Sequence, residues 1–117
     1  MGKLTTHILD TAAGKPGKDI LIQLYYLEGD SWELIKEVTS NDDGRCDAPL
    51  LEGDALKLGQ YELVFHAGAY FDAIGIELPE PKFLDEIVIR FGVPDAKEHY
   101  HVPLLVSPYS YSTYRGS

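Results

Sequence analysis

Hydrophobic and polar residues alternate along most of the chain, and Gly or Pro interrupts this alternation about every ten residues. A period of two places successive side chains on opposite faces of a β-strand, so one face can pack while the other meets solvent or a partner. The clearest examples are residues 61–66 and 86–93, where branched and aromatic side chains alternate with mostly polar ones. The pattern therefore predicts short antiparallel strands.

Three further strands are predicted in the N-terminal half of the chain. Residues 3–8 alternate, with His7 on the face opposite Ile8. The next stretch, residues 19 to about 27, is apolar on both faces, which predicts a strand covered by a second sheet or by a partner subunit. Residues 32–39 predict the third strand, and the turn-forming residues 41–44 end it.

The C-terminal half adds one helix and one more pair of strands. Residues 69–74 predict one or two helical turns, and the prolines at 79 and 81 exclude a continuing helix or a central strand. The final strands run from about residue 100 to 106 and from 109 to 114, with Ser107 and Pro108 at the bend.

Roughly seven or eight short strands with one short helix predict an all-β fold, a two-sheet antiparallel β-sandwich. The 117 residues fit one domain spanning 1–117. A sandwich has edge strands, and an open edge can pair with a second copy of the chain.

Composition narrows the class of protein. With 44% hydrophobic and 25% charged residues, the chain has the composition of an ordinary soluble globular protein. No run of about 18 apolar residues occurs, so no membrane partner is expected. The N-terminus lacks the apolar block of a secretory signal, and the single Cys46 cannot form an intrachain disulfide. These features predict a cytoplasmic protein with a buried or otherwise inert thiol.

The charge excludes one class of partner. The net charge is −9, and the ten Lys and Arg residues are scattered along the chain. Because phosphate binding needs a concentrated basic face, no nucleic acid partner is expected. An anionic ligand would depend on a local cation, and the arginines are Arg45, Arg90 and Arg115. Arg90 lies in a predicted strand and is expected to be solvated or to pair with an acidic residue across the sheet.

Two histidines stand two residues apart, so the rings of His99 and His101 are expected to project from one face of a strand. A zinc site would need further ligands from His7, His66 or a carboxylate, and no Cys cluster or Glu-x-x-His spacing supports it. Metal-free acid/base catalysis suits imidazole, whose ordinary pKa lies near neutral pH. The third interpretation is a pair of strand histidines without a chemical role, which is also the expectation for His66.

Arg45 follows an acidic turn, Asp42-Asp43-Gly44. A calcium loop is not supported there, because the later Glu of an EF-hand is missing. A turn arginine is either solvated or binds planar pairs of oxygen atoms through its guanidinium. The chain ends in Tyr114-Arg115-Gly116-Ser117, and the tyrosines leading into this tail keep the rhythm of a strand, so an ordered tail is expected.

Four segments together resemble the 5-hydroxyisourate hydrolase family, the enzymatic branch of the transthyretin-like proteins. They are the N-terminal Thr5-Thr6-His7, the Asp-Gly-Arg turn ending at Arg45, the His-x-His at 99–101 and the C-terminal tetrapeptide, and the resemblance spans the whole chain. It implies a transthyretin-like (prealbumin-like) sandwich. It also implies a hydrolase without cofactor or metal that opens the lactam ring of 5-hydroxyisourate, the product of urate oxidation.

The resemblance assigns roles to individual residues. The implied catalytic residues are His7, Arg45, His101 and Ser117, and the implied substrate contacts are His7, Arg45, Tyr114, Arg115, Gly116 and Ser117. His99 is expected to support this site without touching the substrate. Members of the family pair edge to edge as dimers and face to face as tetramers, so a homotetramer with its sites at the dimer–dimer interface is implied.

Two other classes of function compete with a hydrolase. Vertebrate transthyretins are similar sandwiches that carry small hormones in the central channel. They lack the C-terminal tetrapeptide and the paired histidines, so the resemblance favours catalysis over carriage. A structural or adhesive module would show a secretion signal and flanking linkers, which this sequence does not.

Overall fold

The computed structural model describes residues 2–116. Short strands and one α-helix are joined there by turns and loops. The helix α1 spans Ala67–Ala73, and a 3-10 turn spans Gly53–Ala55. The strands are β1 (Lys3–Thr5), β2 (Ile8–Asp10), β3 (Lys15–Pro16), β4 (Leu21–Glu28), β5 (Ser31–Thr39), β6 (Leu51–Glu52), β7 (Gly59–His66), β8 (Glu86–Val93), β9 (Tyr100–His101), β10 (Leu104–Val106) and β11 (Tyr111–Ser112).

The longest strands form one antiparallel sheet in the order β5-β4-β7-β8. Its inner face follows the alternation in the sequence, since Tyr61, Leu63 and Phe65 are buried from β7 and Ile87 and Ile89 from β8. The register between β4 and β5 shifts at Leu24 and Tyr25, which marks a β-bulge. The predicted strands of this sheet are confirmed.

The remaining strands are shorter and form a three-stranded sheet, β6-β1-β9, and a four-stranded sheet, β11-β10-β2-β3. Here the structure departs from the purely antiparallel prediction, because β1 pairs with β9 and β2 with β10 in parallel. The predicted first strand is also divided after Thr5. The strand is divided where the segment that hydrogen-bonds to it changes. The N–H of Leu50 donates to the carbonyl of Leu4, whereas the N–H of Ile8 donates to the carbonyl of Gly44 in a turn.

A single hydrophobic core joins these sheets. Leu4, Ile8, Ile22, Phe65 and Leu104 come from five different strands and are fully buried in one cluster. Full burial of such side chains contributes roughly 1.5–3 kcal/mol each, so the core is the main stabilising feature of the sandwich.

The helix α1 is fastened to this core through a buried carboxylate. The hydroxyl of Tyr70 donates to Oδ2 of Asp10 at 2.7 Å, and Oδ1 of Asp10 accepts from the backbone N–H groups of Ala12 and Ala13. These bonds satisfy the charge of a residue that is only 1% exposed. The helix covers the predicted residues 69–73 and begins two residues earlier than predicted.

Three other expectations can be compared with the structure. Arg90 pairs across the sheet with Glu62, Nε to Oε1 at 2.7 Å, as predicted. Cys46 is half-buried, and burial raises the pKa of its thiol, which fits the expected unreactive cysteine. None of the helices described within residues 2–116 is long and apolar enough to cross a membrane.

Candidate active site

A tight turn at residues 41–45 sets the position of Arg45. Oδ1 of Asn41 accepts from the backbone N–H groups of Asp43 and Arg45 at 2.9 and 3.1 Å, and the Asn41 N–H donates to the carbonyl of Arg45 at 2.8 Å. Gly44 has a φ of +74°, and a Cβ placed on it would lie 2.3 Å from the carbonyl oxygen of Ile8. Glycine is therefore required for the turn to dock on β2.

Docking of this turn brings Arg45 opposite His7, and the two residues form an isolated antiparallel β-bridge. Nε2 of His7 lies 2.9 Å from the carbonyl oxygen of Asp43. Because a carbonyl oxygen can only accept, Nε2 donates this bond and Nδ1 is the acceptor nitrogen of the neutral ring. Burial and then the charge of Arg45 lower the pKa of His7, and the hydrogen bond to the carbonyl of Asp43 partly opposes them.

His101 reaches the same place from the other end of the chain. It lies at the end of β9, in parallel register with Thr5 of β1. Its Nδ1 is 2.8 Å from Oγ1 of Thr5. Burial lowers the pKa of His101, and the charge of Arg45 and the ring of His7 lower it further. The backbone bridge between His7 and Arg45, and the bond from the Leu104 N–H to the His7 carbonyl, bring three segments of the chain together, and the charge of Arg45 acts on both rings. We call His7, Arg45 and His101 the imidazole cluster.

The tail enters this cluster through Gly116. Its N–H donates to the carbonyl of His101 at 2.7 Å, and the two residues form a second isolated β-bridge. A Cβ on Gly116 would lie 2.9 Å from Cδ2 of His101, so the backbone passes directly beside the ring. Ser117, the last of the expected catalytic residues, lies outside the described residues.

The other tail residues point elsewhere within this chain. Nη2 of Arg115 donates to Oε1 of Glu98 at 3.1 Å and to the carbonyl oxygen of His99 at 3.0 Å. Its guanidinium carbon lies 4.5 Å from the centre of the Tyr100 ring. Tyr114 is 60% exposed and lines a groove beside β8. The tail is ordered as expected through Gly116, but Arg115 and Tyr114 do not join the imidazole cluster within one chain.

Two further histidines lie outside the cluster. His99 precedes β9 and is exposed, and its backbone carbonyl accepts the bond from Arg115. Nε2 of His66 lies 2.8 Å from Oε1 of Gln23 on the neighbouring strand, which fits the structural role expected for it. Among the described residues 2–116, no group of three or more His, Cys, Asp or Glu side chains is arranged to hold a metal ion.

A groove of about 210 Å³ opens beside the cluster. Its lining includes the cationic side chains of Lys3 and Arg45 and the hydroxyl-bearing Thr5. The contact between Thr5 and His101 is the part of the site that the sequence does not reveal, because it depends on the register between two strands 96 residues apart. Arg45 is the member of the imidazole cluster that lines this groove, together with Asp47, and neither His7 nor His101 is among its described lining residues.

Comparison with known proteins identifies the family of this chain. Residues 4–116 match the model of the HIUase/Transthyretin family, and the chain belongs to this family. It is 62% identical over 117 residues to a 5-hydroxyisourate hydrolase of Ralstonia nicotianae, with 100% of both chains covered.

Two solved structures show the same architecture. A crystal structure of (S)-allantoin synthase matches with a TM-score of 0.95 and 46% identity over 99% of this chain, which spans 44% of that protein. Sea bream transthyretin, in complex with thyroxine, matches with a TM-score of 0.86 and 26% identity over 97% of this chain and 94% of its own. The predicted transthyretin-like sandwich with one short helix is confirmed.

Proposed function

We propose that this chain is an enzyme that hydrolyses 5-hydroxyisourate in urate degradation. It opens the lactam ring to give 2-oxo-4-hydroxy-4-carboxy-5-ureidoimidazoline. The observation that carries this proposal is the imidazole cluster, in which His7, Arg45 and His101 converge from three separate segments of a HIUase/Transthyretin family chain. The name of the Ralstonia nicotianae relative supports the same substrate.

The chemistry needs few groups. Water loses a proton as its oxygen bonds to the lactam carbonyl carbon, and the carbonyl oxygen takes up negative charge. The carbon–nitrogen bond then breaks, and the leaving nitrogen receives a proton. One imidazole of the cluster takes the proton of water and becomes imidazolium, while the other orients the water. The imidazolium then returns that proton to the leaving nitrogen, directly or through the second ring. Both rings are suited to this because their lowered pKa values keep them neutral at pH 7.

Arg45 has the role of polarising the carbonyl. Its guanidinium stays charged at any working pH and matches the geometry of planar oxygen pairs. Arg45 is exposed and lines the groove, and it forms no ion pair within the described residues. The charge that develops on the carbonyl oxygen in the transition state would therefore meet a cation already in position.

The tail has a binding role in this proposal. Gly116 lies against His101, so the described part of the tail reaches the cluster. The roles proposed for Ser117 rest on the resemblance alone. The contacts of Arg115 with Glu98 and Tyr100 favour a role in fastening the tail, which in turn fixes Gly116. Substrate contact by Tyr114, and support of the site by His99, are further parts of the proposal that rest on the resemblance alone.

The working assembly in this proposal is a cytoplasmic homotetramer, a dimer of dimers with shared sites between the dimers. Large apolar side chains exposed on the surface favour assembly, and two of them, Phe83 and Tyr109, lie together with ring centroids 6.0 Å apart. Examples are Phe83 (73% exposed), Tyr109 (59%) and Tyr111 (45%).

A spectroscopic assay tests the activity itself. Urate oxidase supplies 5-hydroxyisourate, whose decay is followed by ultraviolet absorbance with and without the protein. The proposal predicts decay faster than the spontaneous rate and, in ¹⁸O-labelled water, a product carboxylate that carries the label. If the protein binds the substrate but leaves its decay rate unchanged, the chain is a carrier, and the hydrolase proposal is wrong.

A further inference from the structure

The hydroxyl of Thr5 is placed against a ring nitrogen of His101. Thr5 and His101 are direct partners in the parallel pair β1 and β9, and both are half-buried. Residues in register on adjacent strands project their side chains from the same face, and the contact from Oγ1 to Nδ1 is 2.8 Å. A β-branched side chain such as Thr is restricted at χ1, so the backbone pairing also fixes the hydroxyl.

We propose that Thr5 is the positioning residue of His101. Its hydroxyl forms a hydrogen bond with Nδ1 of the ring, so that Nε2 is the nitrogen that faces substrate and water. This inference rests on the proposed function, because it names what orients one imidazole of that site. Nε2 of His101 has no hydrogen-bond partner among the side chains and backbone groups described in residues 2–116. It is therefore the nitrogen left for chemistry.

A hydroxyl suits a ring that must gain and lose a proton. It donates to Nδ1 when that nitrogen is bare and accepts from it when it carries hydrogen, so it satisfies either neutral tautomer. A carboxylate in the same place would favour the charged imidazolium. Thr5 adds no charge, which agrees with a ring that burial and the nearby Arg45 keep neutral. His101 can thus transfer a proton at Nε2 without rotation of its ring.

Gly116 closes the other side of the ring. A Cβ at this position would lie 2.9 Å from Cδ2 and 3.2 Å from Cγ of His101, closer than such contacts normally are. With Thr5 held at Nδ1 and the Gly116 backbone beside Cδ2, a flip of the ring would break a hydrogen bond and push against the tail. Preorganisation of this kind lowers the cost of reaching the reactive geometry.

The test compares two substitutions at one position. Thr5→Val keeps the branched shape and the strand propensity but removes the hydroxyl, whereas Thr5→Ser keeps the hydroxyl. Thr11→Val is the matched control, since Oγ1 of Thr11 also bonds to a neighbouring segment, the carbonyl of Val106 at 3.1 Å, but makes no hydrogen bond to His7, Arg45 or His101. Melting curves establish that all three variants fold.

Two readouts are taken for each variant: steady-state kinetics on 5-hydroxyisourate, and the ¹⁵N chemical shifts of the histidine rings. We expect Thr5→Val to lower kcat roughly 10- to 100-fold with KM nearly unchanged, and to move the Nδ1 shift of His101. Thr5→Ser should restore most of kcat and the original shift, and Thr11→Val should change neither.

An unchanged kcat in a folded Thr5→Val variant overturns the proposal, whether or not the Nδ1 shift moves, because the ring then needs no positioning by the hydroxyl. The nitrogen shifts also separate this inference from the proposed function. If the unaltered chain does not hydrolyse 5-hydroxyisourate, the proposed function fails, and the Nδ1 shift alone decides whether Thr5 holds the ring.

Discussion

The charge on one residue, Arg45, influences the protonation of both imidazoles in the cluster. Burial is the larger cause of the lowered pKa in each ring, and the guanidinium of Arg45 is the next. A permanent cation disfavours a second positive charge nearby, so His7 and His101 remain bases at neutral pH. The residue proposed to polarise the carbonyl therefore also keeps the proton acceptors neutral.

A pH titration tests this coupling. Since the folded pKa of each ring lies below the ordinary 6.5, kcat/KM should stay at its plateau near neutral pH and fall only as pH drops through the lowered pKa. Stability should decline from about pH 6.5, where the unfolded chain begins to bind these protons, down to the lowered pKa of the folded rings. Arg45→Gln should raise both pKa values, as measured by NMR titration of the ring protons. An acid limb above pH 6.5 in the unaltered chain, or titrations unmoved by Arg45→Gln, would contradict the coupling.

At the scale of residues, the sequence indicates candidate site residues better than it indicates the contacts between them. His7, Arg45 and His101 could be predicted because they stand in motifs that resemble a family. The partner of His101 could not, because Thr5 meets it only through the strand register. The pairing of Arg115 with Glu98 and Tyr100 also depends on how the tail folds back, which no local pattern records.

At the scale of elements, the turn at residues 41–45 is the device that brings Arg45 to His7. The Gly44 carbonyl accepts from the Ile8 N–H at 2.8 Å, so the turn pairs with the first residue of β2, before the pairing of β2 with β3 begins at Leu9. The position of Arg45 thus depends on how closely one glycine approaches the backbone of another element.

A pair of glycine substitutions tests this approach. Gly44→Ala meets both the left-handed φ of +74° and the carbonyl oxygen of Ile8, whereas Gly29→Ala meets a similar φ of +61° with nothing within 4 Å. Urea unfolding should show a loss of about 1–2 kcal/mol for Gly29→Ala and a clearly larger loss for Gly44→Ala. Gly44→Ala should also lower kcat, because Arg45 and His7 move apart. Equal losses of stability in the two variants would show that the close contact carries no cost.

The elements themselves follow from the alternation of residues to a large extent. The strands of the sheet β5-β4-β7-β8 were predictable, since burial on one face imposes a period of two. The short helix was predictable as well. The parallel pairs β1–β9 and β2–β10 were not, because alternation reports which face is buried and not which strand lies alongside.

At the scale of the whole molecule, the proposed tetramer would complete each site with residues from a second chain. Tyr114 and Arg115 lie away from the cluster, and the groove at Arg45 is open. The family, the substrate and the tetramer were all inferred from resemblance rather than from physical pattern. A single chain cannot indicate its own assembly, because an exposed edge or aromatic side chain fits several interfaces.

Dilution tests the shared site. We expect the protein to have four times the mass of one chain in native mass spectrometry, and turnover per chain should fall in parallel with the tetramer fraction as the protein is diluted or treated with low urea. Circular dichroism at each step shows whether the chains stay folded. Folded monomers with full turnover would show that the site is complete in one chain.

If the imidazole cluster performs the hydrolysis, loss of a cluster histidine should remove most of the activity, whereas loss of a histidine outside the cluster should not. His101→Asn and His66→Asn each replace an imidazole by a smaller polar side chain, and His66 is bonded to Gln23 outside the cluster. With 5-hydroxyisourate as substrate, His101→Asn should lose roughly 100- to 10,000-fold in kcat/KM, while His66→Asn keeps the wild-type value. A folded His101→Asn variant that consumes the substrate as fast as the unaltered chain would contradict the account.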